Sequence, residues 1–263
     1  MAPDRAARLA AFYDLDLSDD PGDLDLYRAL ADREGGPVLE LGVGTGRLAV
    51  PLAAAGHVVT GVDDDAAMLA RAAARWAGTR MKAHAVAGAG GLELVQADLL
   101  DVDLGPRFGL AFLALNSLFL MGTYERQVAA VRALARHLRP GGLALVDVWL
   151  PSADELSAYD ARLALEWQRP DEDGMHEVAK VGSARLDMSA ATVTLTTFFD
   201  RWATAGGPVE RTARTDELRL VTAAELRAMA QAAGLGVEML AGDYRMEPFG
   251  PGAERVLLLG RLV

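Results

Sequence analysis

The chain of 263 residues contains no cysteine and no isoleucine, two lysines (Lys82 and Lys180) and a single asparagine, Asn116. The lack of cysteine excludes disulfide scaffolds, cysteine-ligated zinc, iron–sulfur clusters and thiol catalysis. No apolar run approaches the roughly 18 residues that a membrane helix needs, and the first residues lack the basic and apolar pattern of a secretory signal. We therefore expect a cytoplasmic protein that does not bind a membrane.

Basic residues are scarce relative to acidic ones: 26 Lys and Arg stand against 37 Asp and Glu, and the formal net charge is −11. Nucleic-acid binding requires clustered Lys and Arg that neutralise phosphates, so we expect no nucleic-acid partner. The acidic residues are concentrated between Asp14 and Asp25. That segment is either a solvated, helix-capping stretch or a negative rim that faces a cationic ligand.

Apolar runs bounded by glycine and proline alternate with helical patterns over the first 150 residues. Strands are predicted at 37–41, 58–62, 92–95, 110–115 and 143–148. Helices are predicted at 5–13, 24–33, 45–55, 66–76 and 124–138. This α/β alternation predicts a doubly wound, mostly parallel sheet, with residues 1–150 forming N-terminal helices and a ligand-binding core.

Beyond residue 150 the apolar residues alternate with polar ones, and no helical pattern separates the segments. Residues 151–221 are therefore predicted to form an antiparallel β insertion after the fifth strand, either a lid or a homodimer contact. Thr222 and Glu225 form a capping-box pattern at the start of the next helix. Residues 222–263 then supply that helix and the last two strands of a seven-stranded sheet.

The strongest local signal is a glycine-rich turn between the first strand and the following helix. Gly42, Gly44 and Gly46 allow the backbone to turn tightly and approach a ligand closely. Arg47 occupies the third glycine position of the dinucleotide pattern, which disfavours a pyrophosphate. Glu40 precedes the loop, and its carboxylate suits a cationic group. The pattern therefore favours S-adenosylmethionine, which carries a sulfonium and an ammonium and has no phosphate.

Two acids follow at the ends of the next strands. Asp63 is placed to accept the ribose hydroxyls, and Asp98 to accept from the adenine amine. Each acid alone is also typical of a loop cap, but ligands of such sheets bind at the carboxyl ends of the strands. The combination of loop and acids therefore predicts a nucleoside site.

These segments together resemble the class I S-adenosylmethionine-dependent methyltransferases, in the branch that acts on small molecules. The first motif of that family is similar to Val38-Leu39-Glu40-Leu41-Gly42-Val43-Gly44-Thr45-Gly46, and the second to Gly61-Val62-Asp63 with Met68-Leu69. Gln96-Ala97-Asp98 resembles the adenine motif, and Leu138-Arg139-Pro140-Gly141-Gly142 the turn before the fifth strand. The resemblance implies a Rossmann-like methyltransferase fold and an enzyme that releases S-adenosylhomocysteine. Asp65 stands where the small-molecule branch often has a serine.

The motifs and the resemblance assign roles to individual residues. The expected cofactor-binding residues are Tyr13, Glu40, Gly42, Gly44, Gly46, Arg47, Asp63, Asp64, Met68, Asp98, Leu99, Leu115 and Asn116. The expected substrate-binding residues are Ser117, Phe119 and Trp149. Besides Asp63 and Asp98, three of these assignments have a structural alternative. Tyr13 also suits the edge of the first helix, Met68 a helix core, and Asn116 a strand end with a local hydrogen bond.

Methyl transfer from a sulfonium requires alignment and exclusion of water more than a catalytic group. Tyr13, Asn116 and His176 are weak catalytic candidates. His57, His84 and His137 suit structural positions, and no metal site is predicted.

The leading interpretation is methyl transfer to a nitrogen, oxygen or carbon nucleophile of a small molecule, with natural-product biosynthesis as the expected context. The alternative is a cyclase or pericyclic catalyst that keeps the cofactor without transferring its methyl group. A nicotinamide oxidoreductase and a non-catalytic interaction module are further alternatives.

Overall fold

The computed structural model describes residues 5–82, 90–105 and 107–263. The chain divides into two compact units. The smaller unit contains Met1–Asp19 and Pro151–Leu220, and the larger contains Asp20–Leu150 and Val221–Val263. No helix in the described part of the chain is long and apolar enough to span a membrane.

The larger unit is built on a seven-stranded sheet. Its strands are β1 (Val38–Leu41), β2 (Val58–Asp63), β3 (Gly91–Gln96), β4 (Phe108–Leu113), β5 (Leu138–Trp149), β10 (Leu235–Ala241) and β11 (Arg255–Leu262). The order across the sheet is β10-β11-β5-β4-β1-β2-β3. The first five strands pair in parallel, whereas β11 is antiparallel to both neighbours. The predicted seven-stranded, mostly parallel fold is thus confirmed.

Helices cover this sheet, so its central strands are buried. The helices are α2 (Leu24–Glu34), α3 (Ala49–Ala54), α4 (Ala66–Lys82), α5 (Tyr124–His137) and α7 (Ala223–Ala232), with a 3-10 helix at Ser117–Met121. Every residue of β1 and β4 is buried. Such strands are read as continuous apolar runs, and Glu40 is the one charged residue within these two strands.

The smaller unit combines two helices with an antiparallel sheet. It contains α1 (Arg5–Asp16), α6 (Ala153–Tyr159), β6 (Ala164–Pro170), β7 (His176–Asp187), β8 (Thr192–Ala203) and β9 (Glu210–Arg219). The four strands pair in chain order, as a meander. Helix α1 stacks Phe12 on Phe199 of β8, with ring centroids 4.9 Å apart. The predicted antiparallel strands after β5 are confirmed.

Some element boundaries differ from the prediction. The helix after the glycine loop begins at Ala49 instead of residue 45, because the intervening residues form successive turns. Strand β5 begins at Leu138, five residues earlier than predicted. Helix α6 was not predicted. A complete capping box of Ser152 and Glu155 lies at its start, and none of its residues is buried. An exposed helix needs no apolar periodicity, so its sequence did not indicate it.

Candidate active site

The turn after β1 is a loop of bare backbone at the carboxyl edge of the parallel strands. Gly42, Gly44 and Gly46 have φ angles of 74°, 53° and 77°, which residues with a Cβ rarely adopt. The N–H of Gly42 donates to the carbonyl of Val62 over 2.8 Å. A Cβ at Gly42 would lie 3.2 Å from the Ser117 hydroxyl. The loop thus leaves room for a ligand to lie directly against the backbone at this edge.

The carboxylate of Asp63 links the loop to α4. One oxygen accepts from the N–H of Gly44 at 2.8 Å, and the other from the N–H of Asp65 at 3.0 Å. Burial raises the pKa of Asp63, and the two backbone hydrogen bonds oppose that shift. Because each carboxylate oxygen has two lone pairs, both oxygens keep capacity for a further donor.

The two residues after Asp63 lie immediately before α4, and one of them caps it. Asp64 is exposed. Asp65, which stands where the related family often has a serine, accepts from the N–H of Ala67 at 2.7 Å and of Met68 at 3.3 Å. The departure from the motif therefore preserves a helix cap. The Met68 side chain is nearly buried on the same helix.

Glu40 lies at the base of the loop with 4% of its surface exposed. One carboxylate oxygen accepts from the N–H of Ala49, and Oε2 has no hydrogen-bond partner among the described residues. Burial raises the pKa of Glu40 to about 8. A buried acceptor without a donor is costly in a native protein, and here it suits a cationic ligand with N–H donors.

Arg47 makes a bidentate ion pair with Asp23, with both N–O distances 2.6 Å. Asp23 immediately precedes α2 and is fully buried. From the sequence, Arg47 was predicted to bind the cofactor, and Asp23 was not distinguished from the other acids between Asp14 and Asp25. The structure shows the pair fastening the start of α2 to the glycine loop.

The chain leaves β4 through two residues in the left-handed region, Leu115 (φ 42°) and Asn116 (φ 67°). The N–H of Asn116 donates to the carbonyl of Asp147 at 3.1 Å. Its side-chain oxygen accepts from the N–H of Trp149 at 2.6 Å. These bonds hold Asn116 against β5 through its backbone N–H and its side-chain oxygen. Strain of this kind is concentrated at functional sites.

A buried carboxylate that the sequence reading missed lies beside Asn116. Asp147 is fully buried on β5, pairs with Arg255 and accepts from the hydroxyl of Tyr244 at 3.0 Å. Burial raises the pKa of Asp147, and the charge of Arg255 opposes the shift. The sequence signal that could have identified it is a single acid, between Val146 and Val148, in the otherwise apolar run 143–148.

The other residues that were expected to bind the cofactor or the substrate follow β3 and β4. Asp98 accepts from the N–H of Leu100 at 2.8 Å and lies 3.7 Å from Arg126. Leu99 follows it and is half-buried. Ser117 donates its hydroxyl to the carbonyl of Ala114, and Phe119 is 2% exposed within the 3-10 helix.

Comparison with known proteins agrees with this geometry. A family model described as a methyltransferase domain matches residues 38–142, from β1 into β5. The cypemycin N-terminal methyltransferase of a Streptomyces species is 29% identical over 236 residues, which cover 86% of this chain and 83% of that protein. The chain resembles the class I S-adenosylmethionine-dependent methyltransferases over this domain. The predicted resemblance to their small-molecule branch is confirmed.

Solved methyltransferase structures share the fold over nearly all of the chain. The CcbJ methyltransferase from Streptomyces caelestis has 26% identity and a TM-score of 0.73, with 94% of this chain and 95% of that chain covered. An S-adenosylmethionine-dependent methyltransferase from Clostridium acetobutylicum has 18% identity and a TM-score of 0.75, with 97% and 98% covered.

Two candidate residues of this methyltransferase lie in the smaller unit. Tyr13 is on α1, and His176 begins β7. The Nδ1 atom of His176 lies 2.7 Å from a carboxylate oxygen of Asp173, which together with Asp171 forms a cluster of metal-ligand type. The guanidinium of Arg201 contacts all three side chains. The absence of a metal site stays a prediction, and His84 lies outside the described residues.

Proposed function

We propose that the enzyme transfers the methyl group of S-adenosylmethionine to an amine nitrogen of a small natural product. The observation that carries the cofactor assignment is the buried, unpartnered Oε2 of Glu40 beside a loop of bare backbone. The amine is proposed because the 29% identical relative is named for methylation at an N-terminus.

The cofactor, when bound, supplies an electrophilic methyl group on a sulfonium. Asp63 offers its remaining lone pairs to the ribose hydroxyls, as a hydrogen bond to a charged group is among the stronger ones. Asp98 and Leu99 follow β3 and provide the adenine site. Gly42 to Gly46 bring the backbone against the amino-acid portion, with Glu40 beneath it.

The acceptor is placed over the ends of β4 and β5. Asn116 presents its amide N–H donors at this edge, and Ser117 and Trp149 flank it. A neutral amine is nucleophilic enough to displace the sulfonium in line, so these residues act by orienting it and excluding water. The cyclase or pericyclic alternative draws no support from the reported relatives, which are methyltransferases.

Incubation with S-adenosylmethionine and a panel of acceptors tests the proposal. We expect S-adenosylhomocysteine and a singly methylated product, followed by mass spectrometry, with a short peptide that has a free N-terminus or with an amino sugar. The N-acetylated forms of the same compounds are the matched controls and should remain unmodified. Methylation confined to phenols or carbon acids would refute the amine assignment, and rearrangement of an acceptor without S-adenosylhomocysteine would favour the alternative.

Replacement of Asn116 separates its structural role from its role at the acceptor. Asn116→Ala leaves a residue at φ 67° that tolerates the left-handed region less well than asparagine, and it removes the acceptor of the Trp149 N–H. The free energy of unfolding should therefore fall by about 1–2 kcal/mol. Asn116→Gly tolerates the backbone and should be the more stable variant by about 1 kcal/mol. Both should lose turnover to the same degree, measured as S-adenosylhomocysteine release. Full turnover in the glycine variant would limit Asn116 to a structural role.

A further inference from the structure

Three carboxylates are buried in the described part of the larger unit, and two of them have an arginine partner. Asp23 pairs with Arg47, and Asp147 pairs with Arg255. The third, Glu40, has one backbone N–H donor and an oxygen without a partner. Of the three buried carboxyl groups, that of Glu40 therefore has no arginine partner that neutralises its charge.

The groups around Glu40 do not neutralise the charge of its carboxylate. The charge of Arg47 favours ionisation of Glu40, and the charges of Asp23 and Asp63 oppose it. The N–H of Ala49 is the backbone donor. Among the described residues, the other buried side-chain oxygen without a hydrogen-bond partner is the hydroxyl of Tyr27 on α2. Burial and the charges of nearby acids, which include Asp147, Asp23 and Glu40, raise the pKa of Tyr27.

A buried carboxyl with this environment retains its proton near neutrality, since desolvation disfavours the charged form. Burial places the pKa of Glu40 at about 8. A positive charge brought to the glycine loop reverses that balance, because an opposite charge within a few ångströms favours the carboxylate.

We propose that Glu40 carries a proton in the ligand-free protein and releases it to solvent when a cationic nucleoside occupies the glycine loop. This inference rests on the proposed cofactor site and adds a specificity-determining role for Glu40. The protein exchanges one proton for one positive ligand, and a neutral nucleoside lacks the charge that drives the exchange.

Two groups of the proposed cofactor supply the same positive charge. The ammonium is present in both S-adenosylmethionine and S-adenosylhomocysteine, and the sulfonium is present in S-adenosylmethionine alone. If the sulfonium drives proton release, Glu40 also distinguishes the substrate from the product, because the product lets the carboxyl regain its proton.

Isothermal titration calorimetry in two buffers of different ionisation enthalpy counts the protons. At pH 7 we expect S-adenosylmethionine to release close to one proton per molecule bound, and adenosine to release none. Release by S-adenosylhomocysteine assigns the effect to the ammonium, and its absence assigns the effect to the sulfonium. By linkage, the Kd for S-adenosylmethionine should fall about tenfold between pH 6 and pH 7. That window lies below the pKa of an α-amino group, about 7.7–8.0.

Glu40→Gln should bind without proton release and lose the pH dependence of Kd. Glu93→Gln, which alters an acid of β3 with a 63% exposed side chain, is the matched control and should behave as the parent protein. Binding without proton release, or equal release in Glu40→Gln, overturns the inference and leaves the proposed function intact. A failure to bind S-adenosylmethionine counts against the proposed function itself. If Glu40→Gln does not fold, the dependence of Kd on pH in the parent protein decides the question.

Discussion

Replacing Arg47 by methionine is expected to lower the free energy of unfolding by about 3–5 kcal/mol, because the substitution leaves the fully buried carboxylate of Asp23 without its partner. The loss should appear as a lower midpoint in urea with an unchanged slope. Cofactor affinity should fall as well, since the pair fastens α2 to the glycine loop.

Two further variants separate the ion pair from a general effect of the substitution. Asp23 makes no side-chain cap bond to α2, so the double variant Asp23→Leu with Arg47→Met removes both charges without removing a cap. It should recover most of the stability. Arg126→Met removes the exposed pair with Asp98 and should cost less than about 1 kcal/mol. Equal losses in the Arg47 and Arg126 variants would contradict the role given to burial.

Replacing Asp63 by alanine should weaken S-adenosylmethionine binding by about 1.5–3 kcal/mol, the contribution of hydrogen bonds to a charged group. Stability should fall too, because the N–H groups of Gly44 and Asp65 lose their acceptor. Calorimetric titration of the folded protein measures the first effect, and denaturant unfolding measures the second.

Asp64→Ala is the matched control for the loss of stability, since the side chain of Asp64 is exposed next to Asp63. It should leave stability nearly unchanged. An Asp63→Ala protein that is less stable but binds the cofactor with the parent affinity would mean that Asp63 shapes the loop without holding the ribose.

The sequence predicted the sheet because its strands are short apolar runs ended by glycine, proline or acids. The strands predicted at 37–41 and 58–62 each agree with the structure to within one residue at either end. The exposed helix α6 was missed since its residues pack against little, and the start of β5 was misplaced because Pro140 and two glycines indicated a turn.

The candidate site was predictable where a motif places chemistry at a strand end, as at Gly42, Asp63 and Asn116. Its partners were not, because they meet only through long-range packing. Asp23 was not distinguished from the other acids between Asp14 and Asp25, and Arg255 was not singled out. Both are held by arginine–carboxylate pairs that no local pattern specifies.

The position of β11 has a consequence for how the chain matures during synthesis. Strand β11 lies between β10 and β5 although it follows both in the chain. Until residues 255–262 have been synthesised, β5 has an open row of amide and carbonyl groups on that side. A chain cut short before Arg255 is therefore expected to associate with other chains through β5, even with its glycine loop intact.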